Sequence, residues 1–475
     1  MSMSRTQTRF LAASPEQVWD VLSTPSLWPA FADDVQSFTV VGAEGLVGPG
    51  AARRLRLGDE VQVLPSARVR GSIHGLTAPP ATITALETDA VLEWTQAQPG
   101  GGTSQRYELT PQGSGTLMTR RTESTGPLAA AWWASLGGPL SHDLSPVAAR
   151  IVAMTGSNDP SAADAPLVIL AGGSGYLGSL LAYELLARGR DVRVLTRSPH
   201  QGLAYRQLAW DGITVGPWAE ALSDPRGVDI VNVSGHPIGG AGGASEMARM
   251  RTSRVNPTRA LVAALNAAGV TAKHWVQGSG VVLRADPEEG PITEATVPTV
   301  AGEELAGMTR LVEEWEAAAA DAPAERLNYI RTGIVLGHDA AAFRALRAVA
   351  TLGAGGALAG GKQWVPWIHE DDWLAIARAA LGLEPGVNLP SGPVIAAAPH
   401  PVRNAELMRQ LRSRVAPAGL GLPAPGPLLK LGTGLLRKDP AVLTGSANAT
   451  SAVLPEAGFA FRFETLPAAL DDILG

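Results

Sequence analysis

The run AGGSGYLG at residues 171–178 places glycines at Gly172, Gly175 and Gly178, with Gly173 beside the first. The apolar LVILA (167–171) precedes it, and a segment readable as a helix follows to about residue 188. A strand entering such a turn and a helix leaving it offer free backbone N–H groups and a partial positive charge to an anion. Gly172 then makes the tight turn, Gly175 lets the backbone approach a pyrophosphate, and Gly178 lets helix and strand pack closely. Ser174, Tyr176 and Leu177 complete the expected cradle.

The next strand, DVRVLT (191–196), ends in Thr196 and Arg197, where a site for an unphosphorylated ribose usually carries Asp or Glu. A carboxylate would repel a 2′-phosphate, and Arg197 would pair with one as a fork. Such a charge-assisted contact is worth about 1.5–3 kcal/mol, roughly tenfold to a hundredfold in affinity. The expected cofactor is therefore NADP(H) in preference to NAD(H). The other polar candidates read as structural. Asp371 or Asp372 in WIHEDDW reads as a helix N-cap, His369 as a satisfied structural histidine, and Glu313, Glu314 and Glu316 as a solvated helix face. Lys362, Gln363 and Trp364 either reach a substrate or form the turn before a strand. No His/Asp/Glu cluster has metal-ligand spacing, so no metal is expected.

Alternating strands and helices must position these residues. After LVILA come strands at 191–196, 228–235, 273–279 and 327–333, and helices at 176–188, about 246–268 and 303–320. Repeated βα units imply a doubly wound parallel sheet of the Rossmann type, with ligands along the edge formed by the strand C-termini. The polar stretch TGSNDPSAADAP (155–166) separates this region from a different one. There, Ser14 with Pro15 and Gln17 forms a capping box, short alternating strands such as ATITAL (81–86) and RYELT (106–110) follow, and a longer helix runs over 127–154, interrupted around 137–139. The expected organisation is an N-terminal α+β domain at 1–156, a linker at 157–166, a Rossmann domain at 167–400 and a C-terminal lobe at 401–475.

A chain of 475 residues with 45% apolar content has enough for several cores. The net charge of −6 and the lack of a long basic run disfavour nucleic-acid binding. The absence of cysteine rules out disulfides and thiolate metal sites. No secretory signal and no membrane-spanning run are readable, which gives a cytoplasmic expectation.

The N-terminal residues SPEQVWDVLSTPSLWPAF (14–31) and the closing helix resemble the START-like helix-grip family, which holds apolar ligands between a curved sheet and a long helix. From residue 167 onward the chain resembles the extended short-chain dehydrogenase/reductase superfamily, in its epimerase-like branch with a C-terminal domain of unknown function. The motifs are GGSGYLG, WD (210–211), NVSG (232–235), SRVNPTRALV (253–262), EEWE (313–316), RTGIVLG (331–337), GKQWVPWIHEDD (361–372) and EAGFAFRFETLPAAL (456–470). The resemblance implies a nicotinamide cofactor, with Ser234 and Gly235 near it, and a C-terminal lobe over the substrate side.

It also implies an Asn, a Ser and a Tyr-x-x-x-Lys pair as proton machinery. Ser279 keeps the Ser. Gly307 and Leu311 stand at the Tyr and Lys positions, and Arg254 at the Asn position. A positioned proton donor is worth about 10²–10⁴-fold. Hydride chemistry belongs to the cofactor and survives its loss. Arg254 suits charge stabilisation or substrate anchoring. Two function classes follow: an NADP(H)-dependent oxidoreductase or epimerase-like enzyme with a non-standard site at Ser279 and Arg254, or a catalytically weak NADP(H) or small-ligand sensor. The partners expected are a small-molecule substrate and an apolar ligand of the N-terminal domain; substrate identity and oligomeric state are not readable.

Overall fold

The structure, a computed structural model, describes residues 2–42, 53–66, 79–133, 143–238, 243–281, 290–296, 302–351, 357, 360–416 and 445–474. The N-terminal region forms one seven-stranded antiparallel sheet: β1 (Ser2–Leu11), β2 (Val35–Val40), β3 (Glu60–Pro65), β4 (Ala81–Glu87), β5 (Val91–Gln98), β6 (Gly101–Gln112) and β7 (Gly115–Thr125), ordered 1-7-6-5-4-3-2. Helix α1 (Pro15–Leu22) starts at the expected box: the Gln17 amide donates to Ser14 Oγ and the Ser14 amide to Gln17 Oε1. Inside the sheet, Trp28 of the short helix α2 (Trp28–Phe31) sits at the centre of an aromatic cluster, with Phe31, Phe38, Trp94 and Tyr107 at 4.9–5.6 Å between ring centroids. Trp28 Nε1 donates to the Leu22 carbonyl, so its one polar atom is satisfied in the core.

Of the helix expected over 127–154, the structure shows α3 (Ala129–Trp132) and α4 (Ser145–Thr155), and the expected interruption at 137–139 lies outside the described residues. Gly156 at φ +82° closes α4. The segment 157–166 is laid down firmly: the Asn158 amide donates to the Ala12 carbonyl, and Ala162 and Ala165 are buried. It acts as a strap between two packed bodies, not as a free spacer.

The second sheet has seven strands, all parallel: β8 (Leu167–Ala171), β9 (Val192–Thr196), β10 (Arg206–Ala209), β11 (Val228–Asn232), β12 (Ala272–Gly280), β13 (Ala324–Thr332) and β14 (Gly392–Ala396), ordered 10-9-8-11-12-13-14. β8 and β11 are buried at every residue, as strands covered on both faces must be. The helices between strands include α5 (Tyr176–Ala187), α6 (Ala244–Ala268), α7 (Gly302–Ala317) and α9 (Glu370–Ala380), with α8 (Ala341–Val349) outside the sheet. A third core joins Leu336, Phe343 and Trp367 to Leu407 and Met408 of α10 (Asn404–Val415) and to Leu466 and Leu470 of the last helix (Leu466–Leu474). Strand order reverses between β8 and β11, which marks the ligand edge.

Candidate functional site

At the C-terminal end of β8 the glycine turn takes the expected shape. Gly172 has φ +91°, and a Cβ there would lie 2.6 Å from the Val233 carbonyl carbon. A Cβ on Gly173 would press on Val194, and one on Gly178 would overlap the Gly172 carbonyl oxygen, so α5 can approach only without side chains. Gly175 is the N-cap of α5 and no side chain caps it, which leaves the first amides of the helix for a ligand. Ser174 is exposed beside it and Leu177 is half-buried. Tyr176 plays another part: its phenol donates to Glu370, the first residue of α9, and burial drives its pKa upward.

At the tip of β9, Thr196 Oγ1 accepts the Ser198 amide, closing the turn. Arg197 is exposed and makes no hydrogen bond or ion pair with the described residues, so among them its guanidinium is uncommitted. At the tip of β11, buried Asn232 ties three elements together. Its Nδ2 donates to Thr258 Oγ1 on α6 (2.8 Å) and to Gln277 Oε1 on β12 (3.2 Å), and its Oδ1 accepts the Ser234 amide. Gly235 makes room for a side chain: a Cβ there would lie 2.9 Å from Arg254 Cζ. Arg254 is held between Gly235 and Trp315, its Cζ 5.0 Å from the Trp315 ring, with Nη1 donating to the Met250 carbonyl.

Ser279 Oγ donates to Glu316 Oε1 at 2.6 Å, and Arg331 grips the same carboxylate through two bonds of 2.9 and 2.8 Å. Glu316 therefore corrects the solvated-face expectation; Glu313 is exposed, and Glu314 pairs with Arg251. The fifteen-residue separation of Glu316 and Arg331 hides this pair, since only the packing of α7 against the sheet brings them together. At the vacant Tyr position, Gly307 lies against α6, where a Cβ would touch Met247 Cε at 3.0 Å; Leu311, at the Lys position, is buried.

The helix-cap expectation for Asp371 or Asp372 is also corrected. His369 is the N-cap of α9, its Nδ1 accepting the Asp371 amide at 3.1 Å. Asp372 instead accepts the amides of Arg462 and Phe463, pinning the C-terminal segment. Asp371 binds Arg9 of the N-terminal sheet at 3.2 Å and Arg462 at 3.0 Å. Burial opposes charge on the His369 ring, but Asp472, Asp371 and Glu370 outweigh it and raise its pKa. Glu370 reaches a small cleft between the domains, yet its carboxyl is enclosed, and burial with Asp371 pushes it up to about 7 against Arg9, Tyr176 and His369. Gln363 is buried, its carbonyl accepting the Asn404 amide, and Trp364 stacks under Arg403 at 4.0 Å, so both serve the C-terminal lobe; Lys362 is exposed. Among the described residues no group of three His, Asp or Glu is placed to hold a metal, and no helix is long and apolar enough to cross a membrane.

A parallel sheet whose central strand feeds a glycine turn at the switch point defines the doubly wound Rossmann class. The chain belongs to the NAD dependent epimerase/dehydratase family, whose pattern matches residues 168–386, followed by a domain of unknown function at 424–473. An epimerase family protein of Mycobacterium leprae is 30% identical over 313 residues, 64% of this chain and 94% of that protein. The human epimerase family protein SDR39U1 is 27% identical over 314 residues, 65% of this chain and 99% of the relative. A crystal structure of the human protein with NADPH superposes with a TM-score of 0.55 at 26% identity, covering 65% of this chain and 99% of that one. A nucleoside-diphosphate sugar epimerase structure from Corynebacterium glutamicum shares the fold over 99% of this chain and 90% of its own, at TM-score 0.57 and 20% identity.

Proposed function

We propose that this protein is an NADP(H)-dependent oxidoreductase or epimerase-like enzyme that replaces the Tyr-x-x-x-Lys pair with a hydroxyl backed by a carboxylate. The carrying observation is the 2.6 Å bond from Ser279 to Glu316. The glycine turn of Gly172, Gly173, Gly175 and Gly178 fits a pyrophosphate, with Ser174, Tyr176 and Leu177 supplying backbone. Thr196 and Arg197 stand where the adenosine ribose of such a cofactor would lie, and Ser234 and Gly235 flank its nicotinamide half. The human relative's structure with NADPH supports this choice of dinucleotide, as does the uncommitted Arg197.

When bound, the nicotinamide would accept or supply hydride. The chain's own part is the proton. A serine that donates to an anionic carboxylate keeps its oxygen lone pairs for a substrate hydroxyl. As that hydroxyl gives its proton to Ser279 Oγ, the Ser279 proton passes to Glu316, and Arg331 holds the carboxylate in line. The reverse order serves carbonyl reduction. Arg254 supplies charge to the substrate side. The N-terminal domain we read as START-like, its antiparallel sheet closing on α1 and α4, with an apolar ligand as its expected guest.

The sensor reading draws on Gly307 and Leu311, which supply no proton chemistry. One experiment separates the two: incubation with NADPH and a carbonyl panel, and with NADP⁺ and the matching alcohols. Turnover that falls in Ser279→Ala and Glu316→Gln while cofactor affinity holds supports the enzyme. Tight cofactor binding with no turnover above background supports the sensor.

A further inference from the structure

Several buried arginines in this fold face carboxylates, and buried Arg120 donates to the Gln7 side-chain oxygen. Arg9 has Asp143 and Asp371, Arg190 has Asp229, and the largely buried Arg331 and Arg378 have Glu316 and Glu184. Arg254 is 5% exposed and has none among the described residues. Its Nη1 donates to the Met250 carbonyl, and the guanidinium has four further N–H groups with no acceptor among the described residues. Burial alone acts on its charge and pushes its pKa down to about 10, which leaves it a cation at neutral pH. An unpaired buried cation is strongly unfavourable unless something supplies the counter-charge.

A second observation points the same way. Trp315, whose ring lies under Arg254, is 8% exposed, and its Nε1–H is buried without an acceptor among the described residues. Two adjacent donors therefore lack the same thing, an oxygen that accepts. The far edge of the Trp315 ring packs on Gly278, where a Cβ would meet it at 3.2 Å, and Gly278 precedes Ser279. On the other side Arg254 rests on Gly235, directly after Ser234. The guanidinium thus lies between the tip of β11 and the proton relay at the end of β12.

We infer that Arg254, with Trp315 behind it, is an oxyanion-binding site, and that the substrate carries a carboxylate or phosphate beside its reacting carbon. The geometry assigns the missing counter-charge to the ligand: a guanidinium fork matches two oxygens of a carboxylate or phosphate, and Gly235 gives it room to lie flat. This deepens the enzyme reading and rests on it for the place of the reacting carbon.

The test uses the full chain, with and without saturating NADPH, titrated with acetate, oxalate and inorganic phosphate at constant ionic strength set by chloride. Melting temperature and NADPH fluorescence are the readouts. At least one oxyanion binds the wild type, and Arg254→Met weakens it by about tenfold to a hundredfold, the worth of a charge-assisted contact. Arg254→Lys, which keeps the charge and stem, retains part of the binding and covers the case in which the Met variant does not fold. Preference for acetate and oxalate marks a carboxylate substrate; preference for phosphate with NADPH bound marks a phosphorylated one. Equal response of wild type and variants, or no oxyanion response in the wild type, overturns the inference. Failure of NADPH itself to bind overturns the cofactor reading instead, and the cofactor-free arm still reads Arg254.

Discussion

The Tyr176 hydroxyl, on the first residue after the glycine turn, donates to Glu370, the first residue of the helix that carries Asp371 against Arg9. The glycine turn, the C-terminal half of the sheet and the N-terminal domain thus meet at one carboxyl. Because Glu370 titrates at about 7 when folded and near 4.5 when unfolded, the folded chain holds a proton that the unfolded chain has released between those values. Stability therefore falls as pH rises from about 4.5 to 7 and levels off above. His369, raised above 6.5, adds in the same sense: its contribution is full below about pH 6.5 and is lost as pH climbs through its folded value. Glu370→Gln should flatten the lower part of this slope and stabilise the protein at pH 8 by on the order of 3 kcal/mol. Urea unfolding at pH 5, 7 and 8 measures it; a wild-type slope unchanged in the variant would contradict the assignment.

Gly337 ends RTGIVLG because a Cβ there would overlap Glu370 Oε2 and Tyr176 Oη. Gly337→Ala should cost about 1–3 kcal/mol, as overpacking does. It should also weaken NADPH by pushing Tyr176, the start of the cradle. Thermal melting and cofactor titration together check this, since a purely local packing defect would leave affinity unchanged.

Arg197→Glu should weaken NADPH by more than the tenfold to hundredfold expected from losing one charge-assisted contact, because it adds repulsion. NADH should change little. Paired fluorescence titrations decide it, and equal loss for both cofactors removes Arg197 from the 2′-phosphate site.

Ser279→Ala and Glu316→Gln should each lower kcat by about 10²–10⁴-fold with cofactor affinity intact. Arg331→Lys, retaining charge without the two-point grip, should fall between them.

The glycine turn was legible in the sequence because its signal is local: each glycine answers a close approach within a few residues or to the adjoining strand. The alternating βα order and the Ser14 capping box were legible for the same reason. What escaped notice depends on distant segments. Glu316 looked solvated until β13 brought Arg331 beside it. Asp371 and Asp372 looked like caps by type, but His369 took the cap, freeing Asp371 for Arg9 and Asp372 for the amides of Arg462 and Phe463. Arg254 was found by its alignment with an asparagine, whereas its lack of a carboxylate is visible only in three dimensions.

Helix α5 starts at the glycine turn and ends at Ala187, whose carbonyl accepts the Ala12 amide of the N-terminal domain. At its start, Tyr176 reaches that same domain through Glu370, Asp371 and Arg9. Twelve residues of helix span about 18 Å as a stiff rod. With both ends of the rod fastened to one body, the turn cannot lift or tilt toward an arriving dinucleotide on its own. Any such movement carries the antiparallel sheet with it, so the two domains move as lever and load.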